Sequence, residues 1–425
     1  MGDYNILDFG AVTGEEINNA AAIQAAIDEC SLAGGRVIVP AGRFISGTIY
    51  LKDHVELYLE SGAWLVAALK EEWMEGCFIG ACHCKDVTIS GQGTIYGQGD
   101  KIFYDDGADN GYGECPLNIR GYRPRTTYLE DVTNLTIRDV TFRNAAFWTL
   151  HMAGCKHVTI RDIKILNDVR GANNDGIDPD CCQDVTISGC LIKTGDDAIV
   201  VKATKAAAEK YGVCENIIIQ NCILYSHDSG LKIGTETHGT IRNIVMSDCI
   251  IQDCSRGVGI WVRDGGTVEN VHIHHVMGST RRYADCPQRE FAPRWWGKGE
   301  PLFFSAAYRN EHKKYPGKIR NITADHIWFT SESCIFAAGE EEGSIENITI
   351  SNLNLTLKQQ GTQPAQVFDE QPSPRGVYDH EIPVVYSRWV KGLSVEGTLT
   401  YDNLDKRQTV IQENSSDINI NMKEQ

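Results

Sequence analysis

The sequence predicts an all-β protein wound as a parallel β-helix, and three observations predict it. A short pattern, one polar residue followed by apolar-x-apolar, recurs along most of the chain. Most of its copies follow one another at steps in the twenties with no helical pattern between them, the period of a stacked solenoid of strands. Like residues fall at like places in successive copies, as stacking requires. Cys190, Cys222 and Cys249 each lie five residues after a strand start and read as a buried thiol ladder. Leucine-rich repeats share the period but need a Leu-x-x-Leu-x-Leu ladder that is absent here, and propeller blades need longer units with Trp-Asp punctuation.

The elements follow in order. Residues 1–36 read as an N-terminal cap whose helix begins at Ala20, is capped by Asn18 or Asn19, and ends near Gly34-Gly35. It closes an end of the stack that would otherwise expose apolar residues and sheet backbone. Val37–Gly42 and Val55–Leu59 are the first coils of a repeat region spanning 37–356. Polar starts then recur at Asp86, Asn134, His157, Asp184, Asn216, Asn243, Asn270, Asn321 and Asn347. The wide steps from Val87 to Leu135 and from Val271 to Ile322 read as two coils each, or as one coil carrying a long insertion.

Insertions at 98–130 and 277–318 break the repeat. The first is rich in Gly, Asp, Tyr and Arg. The second carries Arg281, Arg282, Arg289, Arg294, Lys298, Arg309, Lys313, Lys314 and Lys318 among Trp295, Trp296, Phe303 and Phe304. Such loops project from one face of a solenoid and often carry function, here as a wall of a binding cleft. From Leu357 the repeat fades, and 357–425 reads as a C-terminal cap. The whole, 1–425, is one domain.

Composition narrows the function. A net charge of −17 repels polyanions, so nucleic acid is not a partner. No apolar run reaches the ~18 residues of a membrane span, and no secretory h-region opens the chain. The 15 cysteines include no Cys-x-x-Cys pair and suggest neither a disulfide framework nor a zinc knuckle. Thiols in the core fit a reducing, cytoplasmic setting.

The chemistry concentrates in Asn173–Asp178 (Asn-Asn-Asp-Gly-Ile-Asp) and Thr194–Ile199 (Thr-Gly-Asp-Asp-Ala-Ile). The step from Asp175 to Asp196 is close to one coil, so Asp175, Asp196 and Asp197 return to one face. Clustered carboxylates repel, which lifts at least one pKa and equips the site for acid/base hydrolysis without metal or cofactor. For Asp196 and Asp197 both to face a cleft, Gly195 must turn the chain, since adjacent strand positions point to opposite faces.

These segments, followed by Ser229–Gly234 (Ser-Gly-Leu-Lys-Ile-Gly), resemble the ordered motifs of polygalacturonase-like enzymes, glycoside hydrolase family 28. Asp8-Phe9-Gly10-Ala11, Val39–Gly42 and Asn144–His151 support the resemblance, which runs from about residue 4 to 355. It implies a right-handed parallel β-helix of the pectin-lyase-like kind and inverting cleavage of pectic glycosidic bonds, with Asp196 as acid and Asp175 and Asp197 holding the water. An inverting pair is expected to stand ~6.5–9.5 Å apart. Arg170, Lys202, His227, Ser229, Lys232, Trp261 and Arg263 are the substrate-binding candidates.

Two motifs depart from the family pattern. Ser229 stands where the family has histidine, with His227 two residues earlier. Gly259-Ile260-Trp261 replaces an Arg-Ile-Lys carboxylate clamp, leaving Arg263 as the cation expected there. With the net charge, this favours exo-acting release of a terminal galacturonic acid or related sugar from a pectic or uronic-acid oligosaccharide. The alternatives are a rhamnogalacturonan or other branched-glycan hydrolase, a calcium-dependent lyase using Asp175, Asp178 and Asp180, and a non-catalytic carbohydrate-binding β-helix.

Overall fold

In the computed structural model, residues 2–14, 16–107, 111, 113–283, 297–312, 315–364 and 366–425 are described. The chain winds as a right-handed parallel β-helix, the hand that nearly all parallel crossovers take. One face is a sheet of twelve parallel strands running from Ile49–Leu51 to Val410–Glu413. The remaining faces form a continuous sheet of 22 strands.

The polar residue that opens each repeat marks a corner. Asp86, Asn134, Asp184, Asn216, Asn243, Asn270, Asn321 and Asn347 all have φ between 56° and 61°, a left-handed conformation that Asn and Asp tolerate better than other residues with a side chain. Stacked corners then bond to one another. The Asn216 amide donates to Asp184 at 2.9 Å, Asn243 to Asn216 at 3.1 Å and Asn321 to Asn270 at 3.2 Å. After each corner the strand alternates inward and outward. On the twelve-stranded face Leu150, Ile177, Ile199, Leu231, Val258 and Leu302 pair in register and are fully buried.

The ambiguous wide steps are single coils with insertions, since Leu135 pairs directly with Val87 and Ile322 with Val271. Two expected boundaries shift. Arg125–Glu130 and Glu300–Ala306, assigned to the insertions, are strands of the twelve-stranded face. The coils also continue past 356, through Val390–Asp402 to Ser416–Glu424. The helix spans Ala20–Ala33 and buries Ile23, Ala26, Ile27 and Cys30 against the first coils. Asn18 accepts the Ala20 N–H, while buried Asn19 stitches the segment to Val12 and Ile45. Gly2–Asn5, assigned to the cap, is itself a strand paired with Gly35–Val39.

Cys190, Cys222 and Cys249 are buried and free. Cys115, however, is disulfide-bonded, which corrects the expectation of thiols throughout. Pairing depends on proximity in space, which spacing along the chain does not report. Among the described residues no helix is long and apolar enough to cross a membrane.

Candidate active site

The cleft forms where two turns enter neighbouring strands of the twelve-stranded face. Ile177 pairs with Ile199, so two residues earlier Asp175 lies beside Asp197, and Asp196 stands one residue further back along the turn. The expected stacking of Asp175 with Asp196 is therefore off by one. Asn174 clasps the turn, its side-chain oxygen accepting the Gly195 and Asp196 N–H groups at 2.8 and 3.2 Å. Only glycine fits at 195, because a Cβ there would stand 2.2 Å from the Gly171 carbonyl oxygen. Oxygens from Asp175, Asp196 and Asp197 all lie within 4.8 Å of one another. The wide gap expected of an inverting pair is not present between these nearest oxygens.

Two lysines divide the three carboxylates. Lys232 donates to Asp197 at 2.7 Å, and Lys202 to Asp175 at 3.2 Å while also approaching Asp178 at 3.4 Å and Glu236 at 3.5 Å. Strand alternation points both lysines outward into the cleft. Each ammonium lies over an indole, Lys202 at 4.4 Å from the Trp148 ring and Lys232 at 4.5 Å from Trp261. Asp196 differs. It accepts N–H groups from Asn173 at 3.1 Å and Asp197 at 2.9 Å, and among the described residues no lysine or arginine pairs with it.

Burial pushes every carboxyl of the cluster upward. Asp196 is raised to about 6, by burial and then by the Asp175 charge. Asp178 is raised to about 7 by burial, against the pull of Lys202. Burial raises Asp175 well above the usual carboxyl value, opposed first by Lys202, and raises Asp197, opposed first by Lys232. Burial alone would lower Lys202, but the charges of Asp175, Glu236 and Asp178 outweigh it and hold the ammonium charged. Asp178 has both oxygens buried with no donor in hydrogen-bonding geometry and the Lys202 ammonium 3.4 Å away.

The cleft has a volume of about 290 Å³, near the lower end of the ~300–1,000 Å³ usual for small-molecule sites. Arg309, from the second insertion read as a cleft wall, does line it, together with Thr235, Glu236, Gln371 and Pro372, which the sequence did not single out. Arg309 grips Asp264 with two bonds of 2.7 and 2.8 Å, and Gln371 and Pro372 arrive from the C-terminal segment. Arg123, from the first insertion, reaches the Ala172 carbonyl and Asn173 beside the carboxylates. That insertion runs along the stack as a wall. Asp105 pairs with Arg170, and Glu114 with Arg281 and Thr362.

Of the sequence-predicted residues, Asp175, Asp196, Asp197, Lys202, Lys232 and Trp261 meet in the cleft. Four do not line it. Arg263 is fully buried, and its five N–H groups donate to the carbonyls of Val262, Ser305, Glu370 and Pro372 and to the Ser305 hydroxyl. A guanidinium has five donors, so none remains for a sugar carboxylate, and the clamp assignment is corrected. Arg170 anchors the insertion through Asp105 and the Cys115 carbonyl. His227 stacks on Tyr283 at 4.0 Å, its pKa lowered to about 3 by burial and then by Arg281 and Arg170. Ser229 is buried and donates to Asp228 at 3.1 Å. Arg289, Arg294, Trp295, Trp296, Lys313 and Lys314 lie outside the described residues.

The three carboxylates stand close enough to approach one cation, but two lysine ammoniums already supply countercharge there, and no metal role is assigned to them. Both Asp180 oxygens accept from Thr204, at 2.8 and 2.6 Å, and among the described residues Asp178 and Asp180 do not join Asp175 in a group close enough to hold one cation, which disfavours a calcium loop there.

The family profile described as Glycosyl hydrolases family 28 matches residues 30–280. A probable polygalacturonase of Vitis vinifera is 29% identical over 233 residues, covering 49% of this chain and 45% of the relative. The chain spans about half the length of the curated relatives it matches. Two solved structures share the fold. The family 28 exopolygalacturonase of Yersinia enterocolitica has a TM-score of 0.73 at 17% identity, covering 98% of this chain and 78% of that one. The exopolygalacturonase of Thermotoga maritima has a TM-score of 0.66 at 22% identity, covering 97% and 92%.

Proposed function

The chain belongs to glycosyl hydrolase family 28, and on that premise we propose that it hydrolyses pectic oligosaccharides, releasing a terminal galacturonic acid or related sugar with inversion. The uneven charge around the three carboxylates carries the reading. Asp196, raised to about 6 and without a cationic partner among the described residues, protonates the leaving oxygen. Asp175 and Asp197, each tied to a lysine, take the proton from a water that attacks the anomeric carbon from the opposite face. The inverting course rests on the family and not on the spacing of the nearest carboxylate oxygens, which lie within 4.8 Å.

The substrate class is supported by the family and by the polygalacturonase name of the grapevine relative. Exo action is supported by the modest cleft volume and the wall bonded across Arg170, Arg281 and Thr362. Incubation with trigalacturonic acid and chromatography of the products tests the reading. Stepwise appearance of monosaccharide is expected. Failure to cleave any pectic oligosaccharide, or an early fall in the viscosity of long polygalacturonan, counts against it.

A further inference from the structure

The two lysines repeat one arrangement on neighbouring coils. Trp148, Lys202 and Asp175 form one unit, and Trp261, Lys232 and Asp197 the other. In each, a lysine at least nine-tenths buried lies on an indole face with its ammonium within 3.2 Å of a carboxylate. We propose that Lys202 and Lys232 are positioning residues that hold Asp175 and Asp197 ionised, so that the proton of the cluster resides on Asp196. This rests on the hydrolytic reading above and replaces the sequence-based view of both lysines as substrate contacts.

The neighbours make the two lysines unequal. Lys202 is shared by Asp175, Asp178 and Glu236, and Arg309 supplies a second cation to Glu236 at 3.8 Å. Lys232 has one ion pair, with Asp197, although the buried Asp228 carboxyl bears on both Lys232 and Asp197. Arg123 adds positive charge near Asp175 and Asp196. Lys202 repels Lys232, but the charges of Asp197, Asp228 and Asp196 outweigh that repulsion. The ammonium above each indole is fixed by stacking and pairing rather than waiting for ligand.

The consequence is a pH effect. Removing the cation beside a carboxylate raises that carboxyl by about one to three units. In Lys232→Met, Asp197 therefore holds its proton to higher pH, and the acid limb of the kcat profile moves upward with it. Lys232→Arg keeps the charge and restores the limb.

The test joins two readouts on the folded protein, with Lys202→Met as the parallel variant for Asp175. The first is 13C NMR titration of labelled aspartate carboxyls, with Asp197 assigned from Asp197→Asn. The second is kcat and KM for trigalacturonic acid against pH. The expected result is an upward shift of at least ~1 unit in the Asp197 carboxyl and in the acid limb, with KM changed less than ~3-fold. An unmoved Asp197 titration with a raised KM overturns the proposal and returns the lysine to substrate binding. If the wild-type protein does not cleave trigalacturonic acid, the hydrolytic reading is what suffers, and the carboxyl titration still decides the role of the lysines.

Discussion

The Gly176 N–H donates to the Asp197 carbonyl at 2.9 Å, which makes Asp175 and Asp197 neighbours across the ladder and sets Asp196 apart. That relationship separates the three carboxylates into a pair and a single. The pair shares a face and takes one lysine each. The single stands at the back of the turn, where hydrogen bonds hold it without neutralising it.

Replacing the single should be decisive. Asp196→Asn keeps one of the two oxygens that accept the Asn173 and Asp197 N–H groups but cannot give up a proton to the leaving oxygen. A loss of kcat of at least ~10²-fold on an unactivated glycoside is expected, with an unchanged circular dichroism spectrum. An activated substrate with a good leaving group should recover much of the rate. Near wild-type kcat on the unactivated glycoside would remove Asp196 from the acid role.

The pH profile follows from the same group. Asp196 must be protonated to act, and its pKa is raised to about 6, so kcat should fall as pH rises through that value. At lower pH the fall should come from protonation of Asp175 and Asp197, whose pKa values are also raised. A kcat still rising between pH 7 and 9 would contradict this assignment.

Arg263 should matter for stability rather than affinity. Arg263→Ala strands four carbonyls and a hydroxyl in the interior and opens a cavity, which costs roughly 3–5 kcal/mol. Chemical denaturation measures it. Lys does not rescue, having three donors and no planar fork. A stable Arg263→Ala protein with a raised KM would revive the carboxylate clamp.

Much of this was legible in the sequence. The repeat was visible because stacked corners demand Asp or Asn at a left-handed φ and stacked strands demand aliphatic residues inside. The carboxylates stood out as Gly-Asp-Asp one coil from Asn-Asn-Asp. Their pairing was misread by one residue, since the coil length at that turn is a property of the Ile177–Ile199 register and not of motif spacing. Arg263 was misplaced for a different reason. Alternation turns it outward, like Trp261, but the segment at 369–372 folds over it from about a hundred residues away. The same long-range return brings Gln371 and Pro372 to the cleft, and nothing local announces it.

Metal removal should leave turnover intact. The cluster is balanced by Lys202 and Lys232, so product formation in the presence of EDTA is expected to match that without it. Complete inactivation by EDTA with recovery on adding calcium would point instead to the lyase chemistry that the bonds of Asp180 disfavour.

Proton NMR of the first-formed product from trigalacturonic acid tests the central claim most directly, because it reads both bond cleavage and which face the water attacks. The division of labour between Asp196 and the lysine-held pair predicts a saturated monosaccharide appearing first as the inverted anomer, then mutarotating. The retained anomer, or an unsaturated product, would contradict it.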